Sequence, residues 1–166
     1  LKANGLHRIT VSLDTLDPEI FQKMNGGFAE LDRVLEGINA ARDAGLMPIK
    51  INSVVERGLN DHTLLDLVEH FRGTGVIVRF IEYMDVGTRN HWNPALVVPS
   101  RELAARIHAR WPIVPRERDY RGEVFVGKTF VLGIGHQRKN HAAIVLDAFA
   151  NGAGQLLGLN ILQQVR

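Results

Sequence analysis

Cysteine is absent from the 166 residues, so these residues alone cannot build disulfides, thiolate zinc sites or cysteine-held iron–sulfur clusters. Long apolar runs are missing as well. Nothing approaches the roughly 20 apolar residues of a membrane helix, and the N-terminus lacks a charged-then-apolar signal pattern. No membrane contact and a cytoplasmic location are therefore expected. Net charge is small, +2 in formal terms, which suits a small anionic ligand and gives no indication of a nucleic-acid partner. There is no internal repeat and no low-complexity tract, and the chain opens on Leu1 rather than methionine, which predicts a missing upstream segment. What is present is ordinary for a folded domain: 45% hydrophobic and 23% charged residues, enough for a sizeable core and against disorder of the whole chain.

Residues 8–14 alternate β-branched with polar side chains, the pattern of a strand with two distinct faces. Asp17-Pro18-Glu19 is a helix start: aspartate caps, proline suits the first helical position and glutamate favours the positive end of the dipole. Leu31, Val34, Leu35, Ile38 and Ala41 form the apolar stripe of a second helix, stopped by Gly45. Residues 48–55 read as the next strand. Asn60-Asp61 is expected to cap a helix with Leu64, Leu67, Val68 and Phe71 on one face, and residues 76–83 to form the third strand. After a long loop, Ser100 is expected to cap a helix through about residue 110 bearing Leu103, Ala104 and Ile107. Strands alternating with three-turn helices predict βαβ units and a parallel sheet, which a doubly wound fold and part of a barrel both satisfy. Residues 124–132 look like a further strand, and 142–165 an apolar stretch too rich in glycine for one long helix.

Polar or soft residues stand at or near the ends of the three strands: Ser12 with Asp14, Lys50 with Asn52, and Arg79 with Glu82 and Met84. Side chains two apart share a face, so Lys50 and Asn52 point together, as would Glu82 and Met84. Solvated strand residues explain them equally well at this level. If they are instead turned inward, Lys50 and Arg79 must find an anion, a phosphate or a carboxylate. An inward lysine also suits a Schiff-base aldolase. Gly122 and Gly127-Lys128-Thr129 meet the bare spacing of a phosphate loop, but charge precedes them and a strand-like run follows, where that motif needs a strand and then a helix. His136 and His141 lack metal-pair spacing, and Trp92 and Trp111 lie beside prolines, where packing under a loop accounts for them.

Five blocks carry more: Gly5-Leu-His-Arg-Ile-Thr-Val-Ser-Leu-Asp-Thr-Leu-Asp-Pro18, Leu31-Asp-Arg-Val-Leu-Glu-Gly-Ile38, Pro48-Ile-Lys-Ile-Asn52, Arg57-Gly-Leu-Asn-Asp61 and Val78-Arg-Phe-Ile-Glu-Tyr-Met84. In this order and spacing they resemble the molybdenum cofactor biosynthesis protein A family, the radical S-adenosylmethionine GTP 3′,8-cyclases. The resemblance covers residues 1–123, a barrel segment, and leaves 124–166 as a C-terminal segment of its own. It implies an α/β fold, part of an incomplete (β/α)6 TIM-like barrel with parallel strands, in which Ser12 and Met84 contact S-adenosylmethionine, Lys50 binds GTP and Arg79 is catalytic. It further implies [4Fe–4S] clusters in the parent enzyme, whose ligands this chain lacks, so that the chain alone is expected to be inactive. GTP and the next enzyme of molybdopterin synthesis are the implied partners, with a homodimer allowed. A non-catalytic nucleotide-binding barrel domain and an aldolase-type barrel using Lys50 are the rival readings.

Overall fold

The computed structural model describes residues 2–86, 92–115, 128–134 and 143–148, with residues 114–115, 128–134 and 143–148 described by their backbone alone. The chain runs β1 (Ile9–Ser12), α1 (Pro18–Asn25), α2 (Leu31–Asp43), β2 (Ile49–Val55), α3 (Leu64–Phe71), β3 (Ile77–Glu82), α4 (Ser100–Arg110), β4 (Ile113–Pro115), β5 (Lys128–Ile134) and β6 (Ala143–Ala148). Among the described residues the strands form one open sheet in the order β1-β2-β3-β6-β5-β4. The first four in that order are parallel, and β5 and β4 add antiparallel pairs at the far side. The fold is thus α/β, with three consecutive parallel strands, as a partial barrel requires. Two of the six strands, β5 and β6, come from residues 124–166 and are paired into the same sheet through β6 and β3.

Side-chain burial decides between the two α/β architectures that periodicity left open. Along β2 the odd residues Ile49, Ile51, Ser53 and Val55 are buried, and along β3 the even residues Val78, Phe80 and Glu82 are. These face one core shared with Phe21 of α1, Ile38 and Ala41 of α2, Leu64, Leu67, Val68 and Phe71 of α3, and Leu103, Ala104 and Ile107 of α4. The opposite face, Thr10, Ser12, Lys50, Asn52, Val54, Ile77, Arg79 and Ile81, is half-buried or exposed. A doubly wound sheet carries helices on both faces, whereas a barrel keeps them outside and leaves the inner face to the lumen. Among the described residues the helices lie on one face alone, which matches the barrel.

The helix termini show where local sequence signals hold and where longer-range contacts override them. Asp17 caps α1 as expected: its Oδ1 accepts the N–H groups of Glu19 and Ile20, both at 2.9 Å, and Gly26, at φ 66°, ends the helix in the left-handed region that glycine enters without strain. The expected cap at Asn60-Asp61 is corrected, because α3 begins at Leu64 after Thr63. The expected cap by Ser100 is corrected too, since Ser100 is the first helical residue of α4 and Pro99 precedes it. The acceptor comes from another strand. Glu82, at the end of β3, takes the Ser100 N–H at 2.6 Å with its Oε1, placing a carboxylate at the positive end of the helix.

The expected strand at 124–132 is observed as β5 over Lys128–Ile134, antiparallel to β6. A phosphate loop would open a helix after Thr129, and a strand runs there instead. Residues 116–127, and with them Gly122 and Gly127, lie outside the described residues, as do His136, His141 and residues 149–166.

Candidate functional site

The parallel ladder aligns the uncovered face in levels. Ser12 pairs with Asn52, and Asn52 pairs with Arg79, so these three stand side by side across β1, β2 and β3. Two residues earlier, Thr10 pairs with Lys50 and Lys50 with Ile77, roughly 6.6 Å toward the start of the strands at the usual rise. Ser12, Lys50 and Arg79 therefore share one face, with Asn52 between Ser12 and Arg79. Spacing along β2 groups Asn52 with Lys50 but does not mark it as a site residue. The signal that selects it is its register with Ser12, which no single-strand pattern contains.

Met84 stands differently. β3 ends at Glu82, and Met84 is half-buried in the segment beyond it, so the ladder does not assign it to the face of Ser12, Lys50 and Arg79. Glu82 is on the opposite, helix-covered face from Arg79, as three positions of strand alternation require, and its carboxylate is engaged with α4. The segment after Glu82 is held by Trp92, whose indole N–H donates to the Tyr83 carbonyl at 3.3 Å.

On the open face Asn52 presents an unmet acceptor. Its Oδ1 is buried and has no hydrogen-bond partner among the described residues. A buried amide oxygen left without a donor costs about 1–3 kcal/mol, and a ligand hydroxyl or amine would supply one. Ser12 offers a hydroxyl that both donates and accepts, Lys50 an ammonium and Arg79 a guanidinium. The face as a whole suits a ligand with sugar-like or amide-like polar groups at the Asn52 level and negative charge near Lys50. An iron–sulfur cluster does not fit these residues: the chain has no thiolate, and the described residues hold no group of three His, Asp or Glu that could ligate a metal.

Above that face, at the exit of β1 and β2, lies a separate polar knot. Asn60 is 2% exposed. Its Nδ2 donates to the carbonyls of Asp14 and Val54 at 2.9 and 2.8 Å, and its Oδ1 accepts the Glu56 N–H at 2.8 Å. Asp14 Oδ1 accepts the Val54 N–H at 2.8 Å, and Thr15 and Thr63 share a buried hydroxyl contact at 2.8 Å. Burial raises the Asp14 carboxyl above its ordinary value, against the lowering effect of the Val54 bond. The Asp14 carboxylate and the Asn60 amide thus tie the ends of the first two strands together, which fixes Ser12 against Asn52.

A charged chain then ties the β2–α3 connection to α4. Arg57 donates to both oxygens of Glu102, at 3.2 and 2.7 Å, and Arg106 bridges Glu102 and Asp61, the latter at 3.0 Å. The Arg57 bond holds the Glu102 carboxyl below its ordinary value despite burial, with Arg106 adding to it. For Asp61, burial raises the value, but the Gly58 N–H and Arg106 bring it below normal on balance. Carboxyls depressed in the folded state stabilise it above their unfolded values, and that stability is lost as pH falls through the folded ones. Asp14 has the opposite sign: stability falls as pH rises from the unfolded value toward its raised folded value. Urea titrations at pH 3 to 7 are therefore expected to show a midpoint that drops below about pH 4.5. In Glu102→Gln the acid-side drop should be smaller. An unchanged acid limb in that variant would show that the network carries no linkage.

The sequence pattern of the radical SAM superfamily matches residues 1–71. The GTP 3′,8-cyclase of Xanthomonas campestris pv. campestris is 53% identical over 135 residues, covering 81% of this chain and 40% of that protein. The GTP 3′,8-cyclase of Acidothermus cellulolyticus is 51% identical over 124 residues, 75% of this chain and 34% of its own length. That of a Synechococcus species is 46% identical over 130 residues, or 72% and 38%. The chain thus spans less than half the length of the relatives it matches.

Proposed function

We propose that this chain, which belongs to the GTP 3′,8-cyclase family of radical SAM proteins, forms the nucleotide- and cofactor-binding portion of an enzyme of molybdenum cofactor biosynthesis. The reaction is conversion of GTP to (8S)-3′,8-cyclo-7,8-dihydroguanosine 5′-triphosphate. The observation that carries this reading is the in-register row of Ser12, Asn52 and Arg79, with Lys50 one face-step below, on the sheet face that no helix covers among the described residues.

S-adenosylmethionine, when bound and reduced by an iron–sulfur cluster, supplies the hydrogen-abstracting radical chemistry. In this reading Ser12 hydrogen-bonds the polar part of that cofactor, the unpartnered Asn52 Oδ1 accepts a donor from it, and Met84 lends a polarisable contact from the segment held by Trp92. Lys50 binds GTP as a point charge against phosphate, and Arg79 acts at the reacting end of the substrate. The chain's own part is to hold two ligands side by side on a rigid sheet. The cluster ligands belong elsewhere, since no residue here suits them. A cytoplasmic location and delivery of the product to the next enzyme of molybdopterin synthesis accompany this reading, and among the described residues no helix is long and apolar enough to cross a membrane. The lack of cysteine also favours a second reading, a barrel domain that binds nucleotide without catalysis.

Titration calorimetry separates the readings. In the complete enzyme, Lys50→Ala is expected to weaken GTP binding about tenfold or more, as loss of a charge-assisted contact does, while S-adenosylmethionine affinity stays within about twofold. Equal loss for both ligands would count against separate roles. Trapping of a carbonyl substrate on Lys50 by borohydride would overturn the assignment in favour of the aldolase.

A further inference from the structure

A cleft of about 220 Å³ opens between the C-terminal parts of α2 and α3, on the helix-covered side of the sheet and so across it from Ser12, Lys50 and Arg79. Its floor is apolar: Ile38, Phe71 and Val76 are each at most 4% exposed. Asn39, Arg42 and His70 stand exposed at the mouth. The His70 ring meets Phe71 edge-on, with centroids 4.7 Å apart. Thr74 fixes the far wall, because its hydroxyl donates to the Phe71 carbonyl at 2.6 Å and accepts the Val76 N–H at 3.2 Å. Among the described residues the polar side-chain atoms of Asn39 and His70 have no hydrogen-bond partner. Arg42 meets its chain neighbour Asp43 at 3.9 Å with both side chains exposed, a pairing of little strength.

We infer that this cleft binds a small organic carboxylate whose apolar body is about one ring in size. Volume sets the body. A dry apolar cavity of about 150 Å³ takes a benzene ring, so the space here holds a ring with a short charged tail. Charge sets the tail: the mouth offers a guanidinium, an amide and an imidazole, and no carboxylate is among the lining residues. A guanidinium is a planar fork that takes both oxygens of a carboxylate at once. The C-terminal ends of helices carry partial negative charge, which opposes an anion. Here the carbonyls of Ala40, Ala41, Arg42, Val68 and Phe71 already accept N–H groups from the chain beyond the last turns, so the full charge of Arg42 outweighs them. A cationic ligand would meet Arg42 as a like charge. The site stands apart from the nucleotide reading, since it shares neither residues nor a side of the sheet with the open face.

Amide NMR titration of the full chain tests this with phenylacetate, phenethylamine and acetate. Phenylacetate is expected to bind with a Kd of about 1 mM or tighter, moving signals within residues 35–42 and 70–76 and leaving those of Ser12, Asn52 and Arg79 in place. Phenethylamine has a similar ring and the opposite charge, and acetate has the head without the ring. Each should bind at least about tenfold more weakly. Arg42→Ala, at an exposed helix position that favours alanine, should weaken phenylacetate about fivefold or more. Arg42→Glu should reverse the order of the two ring compounds, and circular dichroism checks that both variants are folded. Arg42→Gln serves as the neutral variant if Arg42→Ala is misfolded, and is expected to show the same loss. Equal affinity for phenylacetate and phenethylamine would overturn the inference. So would the absence of saturable phenylacetate binding below about 10 mM, movement of the open-face signals instead, or undiminished binding in a folded neutral variant.

Discussion

Replacement of Asn60 by alanine is expected to destabilise the fold by about 3–5 kcal/mol, a large share of the roughly 5–15 kcal/mol that holds a domain of this size. The side chain is 2% exposed and makes three hydrogen bonds, to the Asp14 and Val54 carbonyls and from the Glu56 N–H. Each bond is worth about 1 kcal/mol, and each partner left unpaired inside the protein adds a desolvation cost of similar or greater size. The same geometry rules out rescue by an isosteric carboxylate: Asn60→Asp keeps the acceptor for Glu56 but sets a negative charge against two carbonyl oxygens where the amide donates. Both variants should therefore lose stability, the aspartate more at neutral pH than at about pH 3, where it is largely protonated. Chemical denaturation with an unchanged slope provides the measurement. A loss below about 1 kcal/mol for Asn60→Ala would mean that water replaces the side chain and that the strand ends are not tied through it.

Anaerobic incubation of this chain with iron and sulfide is expected to leave no charge-transfer absorbance and, with S-adenosylmethionine and a reductant, no 5′-deoxyadenosine and no cyclised GTP. Biological clusters of this kind are held by cysteine thiolates, and even where histidines replace two of them the other iron keeps its thiolates. The chain has seven histidines and no cysteine. Supplying the polypeptide that carries the cluster motifs should restore turnover if the two assemble. A stable cluster with product formation from this polypeptide alone would refute the argument from missing thiolates.

The strands and the apolar helix faces are readable because their signals are local. Alternation in 8–14, 48–55 and 76–83 predicts β1, β2 and β3 within one or two residues, and the stripe of Leu64, Leu67, Val68 and Phe71 is the buried face of α3. Period two also yields the shared direction of Lys50 and Asn52. What the sequence conceals lies in partners far along the chain. Asn60 looks like a helix cap because asparagine often is one, yet its amide serves Asp14, 46 residues away. Ser100 looks like a cap too, but the capping oxygen comes from Glu82. Periodicity along β3 cannot reveal that Glu82 is claimed by a helix. The blocks that carry the family resemblance divide along these lines: Arg57-Gly-Leu-Asn-Asp61 supplies scaffold contacts, while Ser12, Lys50, Asn52 and Arg79 occupy the open face.

The chain of charges through Arg57, Glu102, Arg106 and Asp61 constrains the order in which these positions can change over generations. Either arginine can go first, since Glu102 then keeps the other guanidinium and Asp61 loses at most its ion pair with Arg106. Glu102 cannot go first on equal terms, because its loss leaves Arg57 and Arg106 facing a site without its shared anion. A lineage drifting away from this arrangement therefore loses least by replacing an arginine first, whereas losing Glu102 first leaves Arg106 with Asp61 alone and Arg57 with the Val97 carbonyl alone, without any change in the active face.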